Sequence, residues 1–163
     1  MKSYIIIIFV VAMLAGGCQQ TIGITPIGDV NSCTKWLADY GPTSADVLGL
    51  SRFSTDGDKK ILKVYVSLID QAGSYIKAPA IFRVELYEHT VRSPVHRGKR
   101  LVMLGDRDLR DVEANNSYWR DHLHAYQFDL DAGAARVGQT YYIEVTVLLP
   151  DGKRTVAQRD IVF

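Results

Sequence analysis

The feature that most constrains the fold of this chain is a period-two alternation of apolar and polar side chains from Ala45 onward. It is clearest in Lys59–Asp70, where Leu62, Val64, Val66 and Leu68 share one face and Lys63, Tyr65 and Ser67 share the other. Such alternation is typical of a β-strand with one face in a core and the other in water. An amphipathic helix would repeat every 3.6 residues instead. The pattern therefore predicts an all-β domain.

Six further segments have strand patterning: Asp46–Phe53, Ala80–His89, Leu101–Leu104, Ala125–Leu130, Thr140–Leu149 and Arg154–Phe163. In Ala80–His89 we expect the core to receive Phe82, Val84 and Leu86, and the outer face to carry Arg83, Glu85 and Tyr87. A basic loop at 91–100 and a long polar crossing at 105–121 separate some of these strands. About seven short strands at this spacing predict a single antiparallel β-sandwich.

One corner of the chain adds a family resemblance. The run Val137-Gly138-Gln139-Thr140-Tyr141-Tyr142-Ile143-Glu144-Val145, which follows the strand ending at Leu130, is similar to a strand-turn-strand corner of fibronectin-III and other immunoglobulin-like domains. In that corner a tyrosine hydroxyl bonds back to the backbone a few residues upstream. The resemblance implies an immunoglobulin-like sandwich in which Tyr141 or Tyr142 has this role.

The amino terminus indicates export. Lys2 precedes an unbroken apolar run from Ile5 to Ala15, which two glycines and Cys18 follow. Eleven apolar residues are too few for a transmembrane helix, which needs ~20, whereas the order of charge, apolar core and small residues is that of a signal peptide. The stretch resembles the leader of a bacterial lipoprotein. This implies a lipidated Cys18 that anchors the protein to the cell membrane or outer membrane.

A second interpretation of the leader stays open. Ala15 and Gly17 also fit an ordinary secretory cleavage site, after which Cys18 would be free to pair with Cys33. The predicted organisation is a cleaved signal peptide at 1–17, a lipidated amino terminus and tether at 18–44, and the sandwich at 45–163. Asn31 and Ser32 are placed to cap one short helix over Cys33–Tyr40 within the tether.

Charge excludes one class of partner. Without the leader, whose one charged residue is Lys2, the chain has 18 basic and 18 acidic side chains. A neutral chain is not expected to attract nucleic acid through its general electrostatic field. The expected partners are the membrane, through the lipid, and an envelope protein or a glycan.

Two groups of residues are candidates for ligand or metal binding. Tyr118 and Trp119 lie in the polar crossing, where they would contact a protein or stack on sugar rings; the alternative is that Trp119 folds back as a lid on the core. His122 and His124 would share a face if they lay on a strand, as two metal ligands must. No third ligand is evident near them, so two surface histidines are the simpler interpretation.

No motif in the chain indicates catalysis. A nucleophile elbow and a phosphate-binding glycine loop are both missing from the sequence. We expect neither enzymatic activity nor a cofactor. The predicted function is a structural or protein-binding role in the cell envelope. The alternatives are a carbohydrate-binding module that uses Tyr118 and Trp119, or a small metal-dependent hydrolase that uses His122 and His124.

Overall fold

The structure is a computed structural model that describes residues 39–91 and 96–163. Within these ranges ten strands form two antiparallel sheets, accompanied by one short helix and one 3-10 turn. The predicted all-β sandwich is confirmed, with more strands than the expected seven or so. The leader, Cys18, Cys33 and all but the last two residues of the predicted helix over Cys33–Tyr40 lie outside the described residues. No helix in the described ranges is long and apolar enough to span a bilayer.

The first sheet is built around β3. It has the order β1–β3–β8–β7, and the short strands β2 and β4 also pair with β3. Its strands are β1 (Pro42–Val47), β2 (Arg52–Asp56), β3 (Lys59–Asp70), β4 (Tyr75–Ile76), β7 (Trp119–Arg120) and β8 (Ala125–Asp131). The bounds of β3 are those predicted from the alternation.

The predicted strand Asp46–Phe53 is wrong, because the chain leaves the β3 ladder between β1 and β2. At this break the backbone N–H of Leu48 still donates to Tyr65 O, at 2.8 Å. The Ser51 hydroxyl accepts from the backbone N–H of Tyr65, at 3.0 Å, in place of a backbone carbonyl. Residues 48–51 form a turn, closed by the backbone N–H of Ser51 donating to Leu48 O at 3.0 Å. A side chain thus satisfies a ladder position that the backbone leaves at this turn.

The second sheet has the order β10–β9–β5–β6. Its strands are β5 (Ile81–His89), β6 (Arg97–Asp108), β9 (Thr140–Leu148) and β10 (Arg154–Val162). Seven of the described strands have six or more residues. The first, second and fifth of the seven are β1, β3 and β8 in the first sheet, and the third, fourth, sixth and seventh are β5, β6, β9 and β10 in the second. This Greek-key division is that of an immunoglobulin-like sandwich in which the fourth strand joins the second sheet.

The predicted tyrosine corner is confirmed at Tyr141, at the start of β9. Its hydroxyl accepts from the backbone N–H of Arg136, at 2.5 Å, and lies 3.2 Å from the carbonyl oxygen of the same residue. Tyr141 is 1% exposed. Tyr142, the other candidate, faces away from the core.

The core lies between the two sheets and contains the residues that alternation assigns to it. Leu62, Val64, Val66, Leu68, Phe82, Val84, Leu86, Tyr126, Phe128, Leu130, Ile143, Val145 and Val147 are all buried there. Phe82 contacts Tyr126 and Phe128 across the core, with ring centroids 4.9 and 5.2 Å apart.

Two segments differ from their predictions. β6 extends well beyond Leu101–Leu104 and includes part of the predicted basic loop. The sequence did not reveal its full length, because β6 is the edge strand of its sheet and its many exposed positions show no clean alternation. The polar crossing contains helix α1 (Val112–Tyr118). Asp111 caps this helix, since its side chain accepts from the backbone N–H groups of Glu113 and Ala114.

Candidate functional site

The outer face of the second sheet carries a cluster of charged and aromatic side chains. Cross-strand pairing sets Met103, Glu85, Glu144 and Gln158 in one row, and Arg100, Tyr87, Tyr142 and Asp160 in the next. The outward direction predicted for Arg83, Glu85 and Tyr87 is confirmed. We name as the arginine face the six residues Glu85, Tyr87, Arg97, Arg100, Tyr142 and Glu144.

Two buried carboxylates lie at the centre of the arginine face. Glu85 and Glu144 are direct cross-strand neighbours and are only 7% and 8% exposed. Like charges in this position repel one another, so both need a cation. Arg100 Nη1 lies 2.8 Å from Glu85 Oε1, and Arg97 Nη1 lies 2.9 Å from Glu144 Oε1. Both arginines come from the edge strand β6, so side chains of this edge strand neutralise one glutamate on each of the inner strands β5 and β9.

Arg97 reaches Glu144 by crossing β5. On its way the guanidinium carbon lies 5.3 Å from the centroid of the Tyr87 ring, in cation–π contact. The Tyr87 ring meets Tyr142 edge to face, at 6.4 Å. The electrostatic pull of Glu144 raises the pKa of Arg97 above its ordinary value. Burial, assisted by Glu85, raises the pKa of the Tyr87 phenol, and burial assisted by Glu144 does the same for Tyr142.

The exposed part of the arginine face is cationic, and exposed apolar side chains flank it. The side chains of Arg97 and Arg100 are 48% and 52% exposed, whereas those of their glutamate partners are 11% and 9% exposed. Met103 and Val156, 47% and 46% exposed, flank the cluster. Tyrosine, arginine and methionine are the residue types enriched at protein interfaces. Two guanidinium groups that are held in ion pairs and have apolar neighbours are suited to binding carboxylates on a protein surface.

Tyr118 and Trp119 lie at the junction of α1 and β7, partly buried against the core. Tyr118 packs on Phe128 with ring centroids 5.3 Å apart, and Trp119 meets Tyr126 edge to face at 5.0 Å. The indole N–H of Trp119 donates to Asp121 Oδ1, at 2.7 Å. This is the arrangement of a lid over the core, in which each ring keeps part of its surface in solvent. Sugar binding by these residues stays a prediction.

His122 and His124 do not lie on a strand, so the condition under which they would share a face is not met, and both are exposed, as the simpler interpretation of two surface histidines expects. His122 belongs to the 3-10 turn Asp121–Leu123, and His124 ends this turn in the left-handed conformation with φ 49°. The structure instead brings together His89, His96 and Asp160 at the end of β5. Sequence reasoning missed this group because Asp160 is two strands away from His89 in the sheet. The one signal in the sequence was that His89 and His96 flank the same loop, which brings two possible metal ligands near one another.

A separate apolar cleft of about 860 Å³ lies at the other end of β5, with Ile76, Pro79, Leu149 and Pro150 among its lining residues. One wall is formed by residues 40–43, and the chain before residue 39 lies outside the described ranges. The cleft therefore supports no assignment of a ligand.

Comparison with known proteins adds no identity: the chain matches no protein-family model, no curated protein and no solved structure.

Proposed function

We propose that the protein is a cell-envelope lipoprotein whose β-sandwich binds an acidic surface of another envelope protein through the arginine face. The observation that carries the binding role is the asymmetry of the two ion pairs: the glutamates are buried and the guanidinium groups stay half exposed. A partner carboxylate would meet arginines whose side chains are already ordered, which reduces the entropy cost of binding.

The lipoprotein part of the proposal is supported by the leader and Cys18. Intact mass of the protein purified from its own membranes tests it. We expect a mature chain that begins at Cys18 and carries several acyl chains, all of which disappear in Cys18→Ser. An unmodified mass lighter by two hydrogens would indicate a Cys18–Cys33 disulfide in a secreted domain and would contradict the anchor.

The binding part is tested by photo-crosslinking in intact cells. A photo-reactive amino acid is placed at Met103, beside the arginine face, or at the exposed Asp129 on the opposite sheet as a control. We expect a discrete product from position 103 alone. The product should be lost in Arg97→Gln/Arg100→Gln and retained in Arg52→Gln, because Arg52 is an exposed arginine of the first sheet.

A product that survives removal of both arginines would refute the arginine face as the contact. Products of equal yield from positions 103 and 129 would refute it too. A cross-linked species that mass spectrometry identifies as glycan would favour the carbohydrate-binding alternative. Repeating the cross-linking in Trp119→Phe would then test whether Trp119 binds the sugar.

A further inference from the structure

Three side chains from three different strands or strand ends converge at one edge of the outer face. His89 is the last residue of β5, His96 directly precedes β6, and Asp160 is on β10. Asp160 Oδ2 lies 3.1 Å from His96 Nδ1 and 3.5 Å from His89 Nε2. One ligand atom from each of the three residues lies within 4.8 Å of the others.

The fold holds this group in place by ordinary sheet contacts. His89 pairs with Arg97 at the end of the β5–β6 ladder, and the backbone N–H of Thr90 donates to His96 O at 2.9 Å. The imidazole rings lie 4.6 Å apart at an angle of 56°. Asp160 reaches them from β10, where it pairs with Tyr142. The three positions are thus set by backbone pairing and not by the side chains themselves.

The donor set is that of a transition-metal site. Two imidazole nitrogens and one carboxylate oxygen are ligands that Zn²⁺ and similar ions accept, and three protein ligands leave at least one coordination position open. The neighbouring guanidinium group of Arg97 forms an ion pair with Glu144 at 2.9 Å, so it does not compete for Asp160. His96 and Asp160 are 46% and 42% exposed, which provides a path of entry for an ion from solvent.

We propose that His89, His96 and Asp160 form a binding site for a divalent transition-metal ion of the zinc class. Small movements of the three side chains place the ion between them, and it replaces the hydrogen bond between Asp160 and His96. Water or a carboxylate of a bound protein completes the coordination. The site lies beside the arginine face but does not depend on it, so the inference stands or fails separately from the proposed function.

Titration of the full-length protein, purified in detergent and stripped of metal, tests the site with Zn²⁺ in competition with a fluorescent chelator. We expect one tight site per chain. The affinity for Zn²⁺ should fall by more than about tenfold in each of His89→Gln, His96→Gln and Asp160→Asn. Loss of a residue that only supports a metal ligand already costs about tenfold or more, and loss of a ligand itself should cost more than that lower limit. The matched controls His122→Gln and His124→Gln should bind as the unaltered protein does.

Co²⁺ substitution separates this site from the two cysteines. Coordination by His89, His96 and Asp160 gives visible d–d bands without the thiolate charge-transfer band that Cys33, or an unlipidated Cys18, would add. No saturable binding, binding with a thiolate band, or equal losses in the His122 and His124 controls would overturn the proposal. If a variant fails to fold, NMR of the unaltered protein decides, since Zn²⁺ should shift the imidazole signals of His89 and His96 and leave those of His122 and His124 unchanged.

Discussion

The tyrosine corner allows a prediction whose magnitude comes directly from the structure. In Tyr141→Phe the ring remains in the core, edge to face with Phe53 at 5.6 Å, and only the hydroxyl is lost. The backbone N–H and carbonyl of Arg136 then lose their partner. Each such hydrogen bond contributes about 1 kcal/mol net, so the free energy of unfolding should fall by about 2 kcal/mol. For a domain of this size that is a fall in Tm of roughly 8 °C.

Urea unfolding followed by tryptophan fluorescence measures this difference, and Tyr142→Phe is the matched control. Among the described residues no hydrogen bond involves the Tyr142 hydroxyl, which lies on the arginine face and not in the core. The control removes no such hydrogen bond and should therefore lose less than about 0.5 kcal/mol, the lower end of what one hydrogen bond contributes. Equal losses in the two variants would show that the corner hydrogen bonds do not stabilise the fold and would refute the reasoning.

Three further predictions concern other parts of the sandwich. Asn115→Ala removes the buried amide that donates to two backbone carbonyls, at 2.8 and 3.1 Å. The free energy of unfolding, measured with urea, should fall by about 2 kcal/mol, and a fall of less than about 0.5 kcal/mol would contradict this. Gly98→Ala should weaken the β5–β6 hairpin, because a Cβ there would lie 2.7 Å from a backbone oxygen. Gly105→Ala in the same strand meets nothing within 4 Å, so faster amide exchange in the Gly98 variant alone is the expected result. Hydrogen bonding from Arg110 lowers the pKa of Asp108 from 3.8 to about 2. The stabilisation is thus present above pH 3.8 and lost as the pH falls through 2; NMR titration should find this midpoint, and Arg110→Gln should return it towards 3.8.

Much of the fold was predictable from the sequence because alternation reports directly which face of a strand is buried. The bounds of β3, the core positions of β3 and β5, and a tyrosine corner at Tyr141 or Tyr142 follow from residues that are close together in the chain. The edge strand β6 was underestimated, since an edge strand has little buried surface to impose a pattern. Helix α1 was missed because a helix of this length has too few turns to show periodicity.

The sequence by itself determined the all-β class, the inward and outward faces of the main strands, and the expectation of an exported chain with a lipidated Cys18. Only the tertiary structure decided which outward residues meet. Glu85 and Glu144 are 59 positions apart in the numbering, yet they are direct neighbours in the sheet. His89 and Asp160 meet only because β9 and β10 fold back beside β5. Strand order is set by the packing of the whole core, so no local pattern could place the arginine face or the proposed metal site.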